Sequence, residues 1–230
     1  MRRKEFLKKE EASTRKFYRE GKDSQPRIPG LSSRSFAIIK FILGVCLLPF
    51  VYACSVSFIN EINLIHASLQ RYFWSGLVSF LIIYLFVWEP QMIYATGQRL
   101  VEIVFSFFRP LVRAAPYLLP IYTIVLFISY VILSSMVKSM YLTACFIFLF
   151  GSSIGLHLVF SAKSIRSKQG DFLRANYIFG FSWIYIINLT VAAVLMSFVF
   201  KKFSLVDFFS NSFRIAENIF CMIFKQFFLG

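Results

Sequence analysis

Few residues in this chain have side chains able to do chemistry, and they lie far apart in apolar sequence. Gln98, Arg99 and Glu102 stand together in YATGQRLVEIVF, residues 94–105; His157 stands in GLHLVF and Asn188 in IINLTV. A lone histidine in an apolar run more often bonds a neighbouring helix than ligates a metal, and His66 is the only other one in the chain. FGSSIGLH offers Gly151, Ser153 and His157 on a single helix, whereas serine chemistry needs a base brought from a neighbouring element. No phosphate-cradling glycine motif is present, so nucleotide binding has no sequence support.

These residues must be held by something, and the composition says what. Of 230 residues 58% are hydrophobic, 30 are Phe and only 16% are charged, which lies outside the range of a soluble domain. The charges gather in short gaps between long apolar runs, as spans and loops require. The reading is an all-α, polytopic transmembrane helix bundle of about five spans, with a half-inserted amphipathic helix and a C-terminal amphipathic helix.

The expected spans are Phe36–Phe58, Tyr72–Trp88, Tyr117–Val137, Tyr141–Ala162 and Tyr177–Phe200. Lys40 near the start of the first is expected to extend back to the headgroups. Lys138 and Ser139, with Met140, separate the third and fourth, which predicts a tight antiparallel hairpin. Asn188, midway along the fifth, is expected to face a neighbouring helix. Cys46, Cys54, Cys145 and Cys221 form no C-x-x-C pair and read as small buried hydrophobes.

The chain thus divides into three regions: a basic tail over 1–35, the bundle over 36–203, and an amphipathic helix over 204–230. The tail holds 11 Lys/Arg and 5 Asp/Glu. Without an aromatic platform or finger spacing, those charges point to membrane orientation and anionic lipid rather than nucleic acid. Lys/Arg counts of 11, 1, 3, 1 and 4 in the tail and successive loops alternate, which by the positive-inside rule puts the N-terminus in the cytoplasm. The expected location is a bacterial inner membrane.

The last segment sets Asp207, Asn211, Arg214, Asn218 and Lys225 on one helical stripe, with Phe and Ile over the rest. It reads as a helix lying in the outer interface, with a sixth, charge-bearing span as the alternative. Between Glu89 and Arg109, Gln91, Gln98, Glu102, Ser106 and Arg109 fall near one helical face. Arg99 and Glu102, three apart, are placed to pair with each other. Read alone, this helix is a polar seam against the bundle or the headgroups.

An apolar span, a proline, a tyrosine and then GQRLVE together resemble the surroundings of the Gly-His-Glu-x-x-His segment in site-2-protease-type intramembrane zinc metallopeptidases. AAPYLLPIYT (114–123), GLHLVFSAKSIRSKQGDFL (155–173), the Asn188-bearing span and the amphipathic end resemble small bacterial members of that group in order and approximate spacing. The resemblance implies that the zinc histidines correspond to Gln98 and Glu102, and the water-activating glutamate to Arg99. An amide, a carboxylate and a permanent cation cannot hold zinc and take a proton. Gln98, Arg99, Glu102 and His157 are therefore vestigial-site candidates, with no catalytic residue, metal or cofactor expected. The resemblance also makes Gln169 and Asp171, which match a Gln-x-Asp element, candidates for contact with the helix bearing that site.

The function expected is a protease-like but catalytically degenerate bundle that binds another membrane protein or a peptide without cleaving it. The alternative is a small transporter or transporter subunit, with Glu89, Arg99, Glu102, His157 and Asn188 along a polar route.

Overall fold

The computed structural model describes residues 33–87, 91–104, 118–137, 139–167 and 177–228. By compactness the chain divides into Met1–Phe36 and Ala37–Gly230, and the helical bundle belongs to the second unit. Among the described residues there are seven helices and no strand: α1 Ser33–Asn63, α2 Ala67–Phe86, α3 Gln91–Val104, α4 Ile121–Met136, α5 Met140–Ser167, α6 Tyr177–Val199 and α7 Leu205–Phe228. Four of them, in α1, α2, α5 and α6, are long and apolar enough to cross a membrane. The chain is a helical membrane bundle.

The remaining crossing expected from composition is α4, and it is short. Its 16 residues make about 24 Å of helix, because Pro120 fixes the start and Leu119 and Pro120 are non-helical. Contacts nevertheless show that it carries the chain back through the bundle. Thr123 meets Ser153 and Tyr130 meets Thr143, so α4 and α5 run antiparallel, the predicted hairpin. On α2 and α5 the contacts rise together, Ser152 with Gly76, Gly155 with Phe80 and Tyr84 with Phe160, so these two are parallel. The chain can leave the end of α2 and enter α5 in the same direction only by returning along α4.

The remaining directions agree. Gly44 lies against Phe179 and Ser55 bonds Tyr185, so α1 and α6 are parallel; Phe127 with Phe198 and Leu118 with Asn188 make α4 parallel to α6. Five passes alternate through the bundle. The core is aromatic and aliphatic, built on Phe58, Phe73, Phe146, Ile147, Phe150, Ala192, Met196, Phe203 and Phe208.

The tightest seam joins α2 to α5 and is made by glycine. A Cβ built on Gly76 would lie 2.0 Å from the Phe148 carbonyl oxygen, and one on Gly151 would lie 2.4 Å from that of Phe73. Backbone meets backbone there, as small residues allow in membrane helices. GSSIG, whose Ser153 shares its helix with His157 and so does not suit serine chemistry, is a packing face: Gly151 and Gly155 admit α2, and Ser152 Oγ donates to the Gly76 carbonyl at 2.8 Å.

Helix α1 outlasts its apolar run. It continues past Phe58 to Asn63 because Glu61, 3% exposed, is satisfied there: its Oε2 accepts the Ser204 N–H at 2.9 Å. Ser204 in turn caps α7 by accepting from the Asp207 N–H at 3.1 Å. Helix α7 then runs back along α1, with Phe208 on Phe58, Ser212 on Cys54, and Phe213 and Phe220 on either side of Phe50.

Two expectations are corrected. Lys40 does not extend outward; it is 4% exposed and makes contacts within the protein. Only Cys54 is buried, whereas Cys46, Cys145 and Cys221 lie on outward helix faces, where a small apolar thiol is as acceptable against lipid as in a core. All four are free thiols.

Candidate functional site

The residues of the amphipathic segment are sorted by α3 into two sets. Tyr94, Gly97 and Val101, spaced three and four apart, are buried against α4 and α5, while Arg99 and Glu102 are exposed. Gln98 lies at the edge, half-buried. Ser106, Arg109 and Glu89 lie outside the described residues, as do Gln169 and Asp171.

Gly97 and Tyr122 set how closely α3 approaches. The Tyr122 ring lies where a Cβ on Gly97 would stand 2.6 Å from its Cε2, and its hydroxyl donates to the Ile93 carbonyl. A larger residue at 97 would have to displace the Tyr122 ring and the Ile121 side chain or part α3 from α4.

Behind this contact is a buried polar cluster. Tyr94 Oη is 3.2 Å from Ser161 Oγ on α5, and Gln98 Nε2 donates to the same Tyr94 oxygen at 3.2 Å. The Tyr94 ring stacks on Phe160 at 5.2 Å and tilts against the His157 imidazole at 6.0 Å. His157 is 4% exposed. It faces a neighbouring helix, as a lone histidine in an apolar run should.

Of the four residues proposed as a vestigial centre, Gln98 and His157 therefore gather round Tyr94. Arg99 and Glu102 do not: both face outward. The expected pair between them does not form. On an exposed surface such a pair gains too little to fix two long side chains. Nor can Arg99 and Glu102 line a polar route through the interior.

The cluster has the elements of acid–base chemistry without access to a substrate. Ser161 is fully buried and Tyr94 and His157 nearly so; a nucleophile must present its oxygen to a reactant. Ser153, the other candidate nucleophile, hydrogen-bonds Thr123 at 2.9 Å and the Phe150 carbonyl, also in the core. Metal chemistry fits no better. Among the described residues no three of His, Cys, Asp and Glu come together, and His66 caps the far end of α2, about 22 Å along that helix from the level of His157.

Asn188 is a separate polar point. Its Nδ2 donates to the Ile184 carbonyl at 2.8 Å within α6 and to the Leu118 carbonyl at 3.4 Å, so it faces the chain entering α4, while its Oδ1 is buried without a partner. It belongs to the packing of α6 and not to the Tyr94 cluster.

Tyr94 and Ser161 were not singled out from sequence. Tyr94 sits one turn before Gln98, a signal that could have paired those two, but nothing local points to Ser161, 67 positions away. Comparison with family models, with curated proteins and with solved structures returned no match.

Proposed function

We propose that this chain is a multi-pass membrane protein that binds another membrane protein or a membrane peptide without cleaving it, and that α3 is its contact helix. One observation carries the reading: α3 is fastened along one side, through Tyr94, Gly97, Val101 and the Tyr122 hydroxyl, so that Arg99 and Glu102 stand on the free side, flanked by exposed Leu100, Ile103 and Val104. A fixed helix offering both charges beside apolar side chains suits a partner that is itself amphipathic.

The resemblance of GQRLVE and its surroundings to the zinc segment of site-2-protease-type peptidases supports the same reading from sequence. At the three catalytic positions this chain has an amide, a guanidinium and a carboxylate. They do not suit zinc, so the reading is of a pseudoprotease in the inner membrane, with the N-terminus in the cytoplasm.

The test is a photo-crosslinking residue placed at Arg99 or Glu102 in intact cells, with Leu85, an exposed position on α2, as control. A discrete protein adduct from 99 and 102 and none from 85 is expected. Adducts to lipid alone, chelator-sensitive stoichiometric zinc, or cleavage of a membrane peptide would refute it. Reporter fusions after Ser139 and after Gly170 check the orientation, the first expected outside and the second inside.

A further inference from the structure

Helix α7 buries Phe208, Ser212 and Ala216, four residues apart, against the bundle. On roughly the opposite side stand Asp207, Asn211, Arg214, Asn218, Cys221 and Lys225. Asn211 is half-buried and the other five are exposed. Their spacings are four, three, four, three and four, which is the seam spacing of a helix that meets one other helix along its length. In most such helices that seam is apolar.

Depth makes this polar seam costly. Residue 50 is the middle of the apolar stretch Ile38–Asn63 of α1, and Phe213 and Phe220 close on Phe50 from either side. Residues 214–218 are therefore level with the middle of that stretch, the depth of the sixth, charge-bearing span and not of a helix in the outer interface. Arg214 and Glu217 at that level are among the most unfavourable side chains to leave against lipid. Within the chain Arg214 Nη2 donates to Asn211 Oδ1 at 3.0 Å, which leaves Glu217, Asn218 and Lys225 to be satisfied from outside.

We infer that the seam of α7 pairs with the α7 of a second copy of this chain. The chemistry is self-complementary. An amide is both donor and acceptor, so Asn211 and Asn218, seven apart, can each pair with their counterparts across a two-fold axis along the membrane normal. The face carries two anions, Asp207 and Glu217, and two cations, Arg214 and Lys225, so a second copy brings no net repulsion. Glu217 of each copy flanks the seam one turn from Arg214 of the other, which offsets the meeting of two guanidinium groups. This surface is distinct from α3, and the inference does not rest on the binding role proposed for that helix.

Cys221 lies on the seam and is exposed, so the unmodified chain carries its own probe. In membranes treated with copper phenanthroline, a dimer linked Cys221 to Cys221 by mass spectrometry is expected, because like positions meet in a parallel pair. It should vanish in Cys221→Ser and return when Lys225→Cys, at an exposed seam position, is added to that variant, but not when Phe209→Cys is added. Arg214→Leu should cut the linked fraction at least tenfold. Monomer alone from the unmodified chain, a linkage through Cys46 or Cys145 instead, equal linkage from 209, or a link to a different protein would each overturn the inference.

Discussion

Helix α2 meets α5 backbone to backbone at Gly76, and Gly76→Ala measures how much that contact holds. An ordinary contact begins near 3.4 Å, so a methyl at Gly76, 2.0 Å from the Phe148 carbonyl oxygen, is about 1.4 Å too close, and one at Gly151, 2.4 Å from Phe73, about 1.0 Å too close. Both obstacles are backbone, so the helices themselves must part. A gap of that size forfeits a quarter to a half of each contact across the seam, and overpacking of this kind costs roughly 3 kcal/mol. Alanine is the better helix former by about 1 kcal/mol, which offsets part of it. The expected net loss is about 2 kcal/mol for either substitution, or roughly a 30-fold fall in the folded population. Gly155→Ala meets only the Phe80 ring, at 2.9 Å, which can turn aside; about 1 kcal/mol or less is expected. Reversible unfolding in detergent or bicelles would give the three values. If Gly76→Ala cost less than about 0.5 kcal/mol by that measurement, roughly a twofold change, or if Gly155→Ala were the worst of the three, backbone contact would not be what holds α2 to α5.

Three further outcomes rest on named bonds. Glu61→Ala removes the acceptor for the Ser204 N–H and should cost about 1–3 kcal/mol, seen as faster proteolysis at residues 200–204, while Glu61→Gln keeps an acceptor and should be milder. Tyr94→Phe removes the oxygen shared by Ser161 and Gln98; a loss of about 1–2 kcal/mol is expected, with hydrogen exchange rising in α3 more than in α2. Asn188→Leu should be nearly neutral in thermal stability, because it removes an orphaned acceptor along with two donated bonds, whereas Asn188→Asp should destabilise by about 3 kcal/mol or more by burying a charge.

The helices were legible because lipid demands long apolar runs and the runs are there. Tyr177–Val199 differs from its expected bounds by one residue. At two ends where the bounds differed more, a polar residue set the bound, once through a distant partner and once through a local one. Glu61 ends an apolar run yet sits inside α1, since its bond is to Ser204, 143 positions away, and His66 starts α2 five residues before the apolar run by accepting the Ser68 N–H. The GSSIG stretch showed its small residues plainly. That they face a carbonyl of α2 rather than a substrate depends on which helix packs there, and that is set by the parallel return of α5, which no local pattern encodes.

The same contrast governs the candidate site. Gln98, Arg99 and Glu102 are neighbours in sequence, and their types suggested one centre. In a helix, one residue of offset is a 100° turn, so side chains one apart are pulled into different surroundings. Gln98 can reach the buried hydroxyl of Tyr94, one turn earlier on the same helix, while Arg99, at the next position, cannot follow it inward. Burying the guanidinium would need a carboxylate inside the bundle, and the one buried carboxylate among the described residues, Glu61, is committed to the cap of α7. The outward pose of Arg99 is thus fixed by the interior it would have to enter. Arg99→Leu should therefore leave stability nearly unchanged in the same unfolding measurement and act only on the partner contact proposed for α3, whereas a substitution at Tyr94 should lower stability as well.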